Sequence, residues 1–505
     1  MKKQEDPKEM NAAQGLLPIE LVEDLQAINP WWQGKPGTPI PRFRRWAFAR
    51  LMRLVEAGLT QATILRGPRR VGKTILLRQV IEELLHRGVA PTQILYVPFD
   101  ATPGAQNLIE PILQMARWFE RQVVGRSFNE QARDGLTTYL FFDEVQNLNA
   151  WAPQLKHLVD NHAVRVLLTG SSSLQIELGR DSLAGRVTTV ELGPLLLREI
   201  AELRLGHVET GQWPGNGSEE LADSEFWRHL ADGNRKTLPV RRQAFELFSR
   251  LGGYPVAHEN PSTEWPDIAD YLVETVIQRV LQHDIPSAQP AQRMDTHFIE
   301  GVFRLACRYA GQAPGPAAFV PDIHTILGQF HSWASIRRAL HVLESTLLLR
   351  LVEPLELRLK RQTAPAKLCL CDHALRAAWL QETVPLDAEG LAANPHLSDL
   401  AGRLAESTLG YFLASIPNLD VAHFPERGAE PEVDFVVTIG TKRIPIEVNY
   451  RKRIDALEDT RGLRAFLEKS VYNAPFGLLV TLEDEVRILD PRIIPISLSS
   501  FLWTR

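Results

Sequence analysis

Apolar residues recur at helical spacing in RFRRWAFARLMRLVEAG. The pattern predicts an amphipathic helix from about 41 to 60 that closes at Gly58. Beyond it, short apolar runs alternate with helical segments. Strands are predicted over Gln61–Leu65, Gln93–Val97, Thr137–Phe142, Val164–Leu168 and Val187–Leu192, with a helix over Lys73–Arg87 after the first. The run Thr137–Phe142 is almost continuously apolar, which suits a parallel strand covered on both faces. Strands alternating with helices imply a parallel sheet with helices on either side.

The pattern changes near residue 204. GHVETGQWPGNGSEE is polar and glycine-rich, so 204–240 reads as a loop or insertion. Helices dominate from about 243 to 380. Within them, Ile323–Leu357 reads as helix, turn, helix and strand, and Lys367–Cys371 as a further strand, the outline of a winged helix. After Asn394 the helix LSDLAGRLAESTLGYFLAS precedes strands over Glu432–Ile439 and Arg443–Val448, another helix, and a strand over Phe476–Leu482. The expected organisation is an arm (1–40), an α/β P-loop parallel-sheet domain (41–200), a helical lid with a winged helix (201–385), and a small α/β domain (394–505) of ordinary domain size.

Composition narrows the classes. Hydrophobic residues make up 44% of the 505 and charged residues 23%, as in soluble globular proteins. A formal net charge of −5 argues against a chain that coats polyanions with its whole surface, though not against a local basic face. The three cysteines, Cys307, Cys369 and Cys371, lack zinc spacing, and the last two read as one face of a buried strand. The segment MKKQEDPKEMNAAQG has no apolar core of a signal peptide, and no run of 18 apolar residues occurs. A cytoplasmic location without a membrane span is expected.

The chemistry concentrates in three places. Residues 67–74 read Gly-Pro-Arg-Arg-Val-Gly-Lys-Thr and satisfy G-x-x-x-x-G-K-[ST] between a strand and a helix. Gly67 and Gly72 let the backbone turn its N–H groups toward phosphates, with Pro68, Arg69, Arg70, Val71 and Ile75 completing the cradle. The helix N-terminus adds a favourable dipole. Lys73 offers a mobile cation to the β- and γ-phosphates of ATP, and Thr74 a hydroxyl to Mg²⁺. About 70 residues on, Tyr-Leu-Phe-Phe-Asp-Glu ends an apolar strand in two acids: Asp143 for Mg²⁺, and Glu144 to orient and deprotonate water. The stretch VLLTGSSS places Thr169 or Ser171 at the end of the next strand, where a γ-phosphate sensor belongs. Arg186 is the candidate arginine finger, in cis or across a subunit boundary, with Arg69 and Arg70 as rivals.

GPRRVGKT, FFDEVQNLNAWAPQLKHLVD, LLTGSSSLQIELGRDSLAGRV and ELGPLLLREI together resemble the bacterial and archaeal AAA-type ATPases that carry a C-terminal domain of unknown function. LFSRLGGYPVA, DYLVETVIQRVLQHDI, KLCLCDHAL and EVDFVV…IPIEVN are similar to landmarks of that C-terminal domain, so the resemblance runs from about 42 to 455. It implies a winged-helix middle and a tail like the PD-(D/E)xK restriction endonucleases. In such a tail Glu406, Asp434 and Glu447 would surround a metal ion. The expected lysine two residues after the last acid is Asn449 here. Alternation along the strand puts Arg443 and Arg451 on the face of Glu447, with Lys442 and Lys452 opposite. A guanidinium cannot serve as a base near neutral pH, so the site reads as partly degraded.

In the winged helix, Ser335–Leu343 would be the recognition helix, with Arg337 and Arg338 toward phosphates and Ile336, Leu340 and Leu343 packed inward. The expected function is ATP hydrolysis that drives domain rearrangement, with DNA as the candidate target and an oligomer as a candidate assembly. The alternatives are a nucleotide-dependent switch that binds a protein partner, and an ATP-gated metal-dependent nuclease.

Overall fold

The computed structural model describes residues 17–170, 183–213, 219–233, 236–285, 295–356, 364–426, 428 and 430–505. The chain divides into two compact units, Met1–Leu192 and Gly193–Arg505.

The first unit opens with α1 (Ile19–Ile28) and α2 (Ala47–Ala57). The amphipathic pattern predicted a helix from 41, yet α2 starts six residues later. Residues 41–45 are tied down instead. The Gln79 amide donates to the Pro41 and Phe43 carbonyls, both at 2.8 Å, and Arg45 Nη1 donates to the Val71 carbonyl at 2.5 Å. Proline at 41 disfavours a helical residue before it. Gly58, at φ +60°, terminates α2 as expected.

Five strands follow: β1 (Ala62–Arg66), β2 (Ile94–Pro98), β3 (Thr138–Asp143), β4 (Val164–Gly170) and β5 (Val187–Glu191). They pair in parallel in the order β2-β3-β4-β1-β5. Helices α3 (Lys73–His86), α4 (Pro111–Phe119) and α5 (Trp151–Asn161) supply the connections. Every residue of β3 is buried, the physical meaning of its unbroken apolar run. Because β1 and β3 flank β4, the loops after all three emerge at one edge of the sheet.

The second unit begins with α6 (Leu197–Leu205), α7 (Ser224–Gly233) and α8 (Leu238–Leu251). Helix α7 lies inside the stretch read as a loop or insertion. Its SEFWRHL core buries Trp227 and Leu230, a pattern masked by the glycine-rich run before it. Further on, α9 (Thr296–Arg308), α10 (Pro316–Leu327) and α11 (Trp333–Ser345) lead into an antiparallel pair, β6 (Leu349–Val352) and β7 (Lys367–Leu370).

Helix α12 (Ser398–Ala414) crosses against β7 so closely that a Cβ at Gly410 would lie 2.3 Å from Cys369 Sγ. A second five-stranded sheet then forms from β8 (Asp420–Phe424), β9 (Val433–Ile439), β10 (Lys442–Asn449), β11 (Gly477–Thr481) and β12 (Ile493–Ser497), in the order β12-β11-β10-β9-β8. Strands β8, β9 and β10 run antiparallel, whereas β10, β11 and β12 run parallel. Helix α13 (Arg461–Leu467) covers it, with Phe424, Phe466 and Tyr472 in mutual ring contact. β8 and β12 were not anticipated. Both are five-residue strands at the two edges of the sheet, and each carries a residue depleted in strands, Asp420 in β8 and Pro495 in β12.

Candidate functional site: a phosphate loop and two strand-end acids

The loop after β1 has the backbone its glycines predict. Gly72 lies at φ +95°, Arg70 at φ +63°, and a Cβ at Gly67 would sit 2.1 Å from the Leu192 carbonyl oxygen. Gly67 therefore has no substitute, because backbone and not a yielding side chain fills the space. Pro68 and Val71 are buried, while Arg70 is exposed. Lys73 opens α3 and folds back over the loop. Its buried ammonium donates to the Gly67 carbonyl at 3.0 Å and the Pro68 carbonyl at 2.7 Å. Thr74 and Ile75 follow in the first turn of α3.

Asp143 ends β3 and is 1% exposed. Tyr96, on β2, donates its hydroxyl to Asp143 Oδ2 at 3.2 Å, and Thr169, on β4, donates its hydroxyl to Oδ1. Burial lifts the Asp143 carboxyl to about 6; the Thr169 bond opposes this, the Glu144 charge adds to it, and a Thr74 bond opposes it again. Thr74 and Asp143, whose side chains hydrogen-bond each other, thus form a pair of oxygen ligands suited to a hard cation.

Glu144 adopts a left-handed conformation, φ +57°, uncommon for a residue with a side chain and costing on the order of 1 kcal/mol. Its backbone N–H donates to Thr169 Oγ1 at 3.0 Å, and Gln146 donates its amide to the Glu144 carboxylate. The fully buried Thr169 hydroxyl therefore braces both acids at once. Ser171, the alternative sensor, lies outside the described residues.

Arg186 is placed differently from the expectation. It precedes β5, and Val187 pairs with Ala62 at the start of β1. The phosphate loop leaves the other end of β1, roughly 16 Å away at about 3.3 Å per strand residue. Arg186 instead pairs with Asp160, Nε to Oδ1 at 2.5 Å, and both are partly exposed. A finger role in its own site is excluded by the parallel register. Arg69 and Arg70, on the loop itself, stand at the correct edge.

Three supporting residues were not read from the sequence: Arg45, which bonds the loop at Val71, Tyr96 and Gln146. The only local signal was Tyr96, a polar tip in an otherwise apolar strand.

The second unit gathers Glu406 from α12 and Asp434 from β9 around Lys367 of β7. Its Nζ lies 2.7 Å from Asp434 Oδ1, 3.1 Å from Glu406 Oε2 and 3.5 Å from Glu432 Oε1. Asp434 Oδ2 accepts the Val448 N–H at 2.9 Å. Glu447 stands nearby on β10, its Oε2 buried and without a hydrogen bond. Burial and the Asp434 charge push the carboxyls of Glu406 and Glu447 well up, while Lys367 draws both down. Burial pulls the Lys367 ammonium down, but Asp434, Glu406 and Glu432 raise it well above its ordinary value.

Among the described residues, no group of three or more His, Cys, Asp or Glu is arranged to hold a metal ion. Glu406, Asp434 and Glu447, expected to surround a metal ion, are not brought together as a set of three ligands. A lysine 39 residues before Glu406 and 67 before Asp434 has entered their midst. Asn449 donates its amide to the Asp459 carbonyl at 2.7 Å, Arg451 pairs with the Asp459 carboxylate, and Arg443 donates to the Tyr472 carbonyl at 3.2 Å. The polar residues on that face bind their own loop.

Residues 59–201 match the family described as AAA domain. An uncharacterized protein of Mycobacterium tuberculosis is 30% identical over 193 residues, which are 37% of this chain and 37% of that protein. One of Methanocaldococcus jannaschii is 22% identical over 307 residues, 60% of this chain and 56% of its own length. The chain thus spans little more than a third of the first of these relatives. Among solved structures, the Walker-type ATPase of Pyrococcus abyssi aligns at 16% identity and a TM-score of 0.35, covering 68% of this chain and 99% of that one. Cdc6p of Pyrobaculum aerophilum aligns at 13% identity and 0.26, covering 68% and 96%. Among the described residues, no helix is long and apolar enough to cross a membrane.

Proposed function

We propose that the P-loop domain of this chain binds ATP with Mg²⁺ and hydrolyses it to drive rearrangement of the segments that follow. One observation carries the reading: the phosphate loop, Asp143 and Glu144 all emerge at the same edge of the parallel sheet, with Thr169 bonded to both acids.

The loop N–H groups and the α3 dipole receive the phosphates. Lys73 exchanges its bonds to Gly67 and Pro68 for the β- and γ-phosphate oxygens. Thr74 and Asp143 hold Mg²⁺, which when bound neutralises phosphate charge. Glu144 orients the attacking water and takes its proton. Arg69 or Arg70 supplies positive charge from within the loop. Arg186 serves, if it serves as a finger, a neighbouring copy in an oligomer.

Downstream, α9–α11 with the β6–β7 pair read as the winged helix. Arg337 and Arg338 on α11 are exposed while Ile336, Leu340 and Leu343 are buried. That exposure makes both arginines available to DNA phosphates. The domain limits follow the same reading: arm 1–40, ATPase 41–200, lid and winged helix 201–385, and tail 394–505, in a cytoplasmic protein.

Glu144→Gln tests the reading. ATP binding is expected to persist while turnover falls by about 100-fold or more, the usual worth of a general base. Unchanged turnover refutes it.

A further inference from the structure

The resemblance of the tail to metal-dependent nucleases implies a divalent cation among Glu406, Asp434 and Glu447, and the residues present do not fit one. We propose that Lys367 is the resident cation of this pocket, so that Asp434, Glu406 and Glu432 form a lysine-centred ion-pair core in place of a divalent-metal site.

Position is the first argument. The ammonium makes hydrogen bonds of 2.7 and 3.1 Å to two of the three acids. A divalent ion needs several oxygen ligands at about 2.0–2.6 Å, and here the ammonium takes the place between Asp434 and Glu406. Both Asp434 oxygens are engaged, one by Lys367 and the other by the Val448 N–H.

Confinement is the second. The Lys367 side chain is 2% exposed, and its ammonium lies 5.1 Å from the centre of the Phe435 ring. Its strand is clamped by α12, where Gly410 admits Cys369 Sγ at a distance that would shut out any side chain. Such a lysine cannot swing aside to admit a metal, as an exposed flexible one does.

The third is the place where the resemblance expects a lysine. Asn449 holds the Asp459 carbonyl, so the strand after Glu447 is committed to its loop. What remains open is Oε2 of Glu447, buried and without a hydrogen bond. With Lys367 gone, Glu406 and Asp434 lose the cation they share, and a divalent ion is the replacement the test looks for.

The test is Mn²⁺ titration of the full chain without nucleotide, followed by the electron paramagnetic resonance of free Mn²⁺, with Lys73→Ala throughout to silence the phosphate loop. In that background, an unaltered tail is expected to have no Mn²⁺ site that Glu447→Gln removes. Lys367→Met is expected to gain one stoichiometric site, at least 100-fold tighter, and to lose it again on adding Glu447→Gln. A Mn²⁺ site of sub-millimolar affinity in the unaltered tail, abolished by Glu447→Gln, overturns the proposal. A folded Lys367→Met chain that gains no site overturns it equally. Should Lys367→Met not fold, the unaltered and Glu447→Gln titrations still decide, because only a metal-free tail makes them identical. The outcome is independent of ATP hydrolysis by the first unit.

Discussion

Thr169→Val would separate a brace from a sensor. The substitution keeps the shape and removes one hydroxyl, which is fully buried and makes two bonds. Losing the donor to Asp143 removes a charge-assisted hydrogen bond, worth about 1.5–3 kcal/mol. The Glu144 N–H is left without its acceptor, costing a further 1–3 kcal/mol or so if water cannot enter. The added methyl returns roughly 0.8 kcal/mol. The expected net loss is roughly 2–5 kcal/mol without any nucleotide, or about 4–20 °C in the melting of a unit this size. Thermal unfolding followed by circular dichroism, with a nucleotide-binding titration beside it, reads the first quantity. Steady-state ATP hydrolysis reads the second. Its kcat should fall by about 100-fold, since both acids lose their fixed position. Thr169→Ser should restore most of each. If Thr169→Val melts with the unsubstituted chain but hydrolyses slowly, the hydroxyl meets phosphate and the bracing account is wrong. If neither quantity changes, the strand-end geometry has no part in turnover.

Gly67→Ala should destabilise the first unit by about 3 kcal/mol and abolish ATP binding, because the new methyl meets the Leu192 carbonyl oxygen 2.1 Å away; normal binding by calorimetry would contradict the loop geometry. Gly410→Ala should cost the second unit a similar amount, about 3 kcal/mol, through collision with Cys369 Sγ and the Phe435 ring, read as a lower urea midpoint. His258 is buried and its pKa is lowered from 6.5 to about 4, chiefly by burial, with its bond to the Gly252 carbonyl opposing. The unfolded chain therefore takes up this proton below about 6.5 and the folded chain only near 4. Its contribution is complete above 6.5 and is lost as pH falls toward 4, by roughly 3 kcal/mol at most. Urea unfolding at pH 7.5 and 5.0 should show a steeper loss for the unsubstituted chain than for His258→Asn, and equal slopes would remove His258 as the cause.

What could be read without coordinates was whatever a local run encodes. The buried strand ending in Asp143 and the glycines of the phosphate loop are consequences of neighbouring residues, and both stand within a residue or so of their expected places. The start of α2 was misplaced because Pro41 and Phe43 are held by Gln79, a partner 36 to 38 residues away. For Arg186, only the alternative of a finger in its own site is set aside, for a topological reason. Its distance from the nucleotide depends on which end of β5 it occupies, and therefore on a parallel pairing that no motif announces. Lys367 was read as part of a buried strand face, and its charge drew no attention there. Only the packing of β7 against α12 and β9 turns it into the centre of an acid cluster. The edge strands β8 and β12 escaped because β8 opens on Asp420 and β12 carries Pro495, residues depleted in strands and tolerated at sheet edges.

The interposed strand β4 has a consequence for how the engine is governed. Grip on the nucleotide belongs to β1 and its loop, and cleavage to β3, and the two never touch as neighbours in the sheet. A displacement of β4 by the width of a hydroxyl contact would leave the grip intact and idle the cleavage. On the proposed reading, a single threonine on β4 would be the clutch between holding a nucleotide and cleaving it.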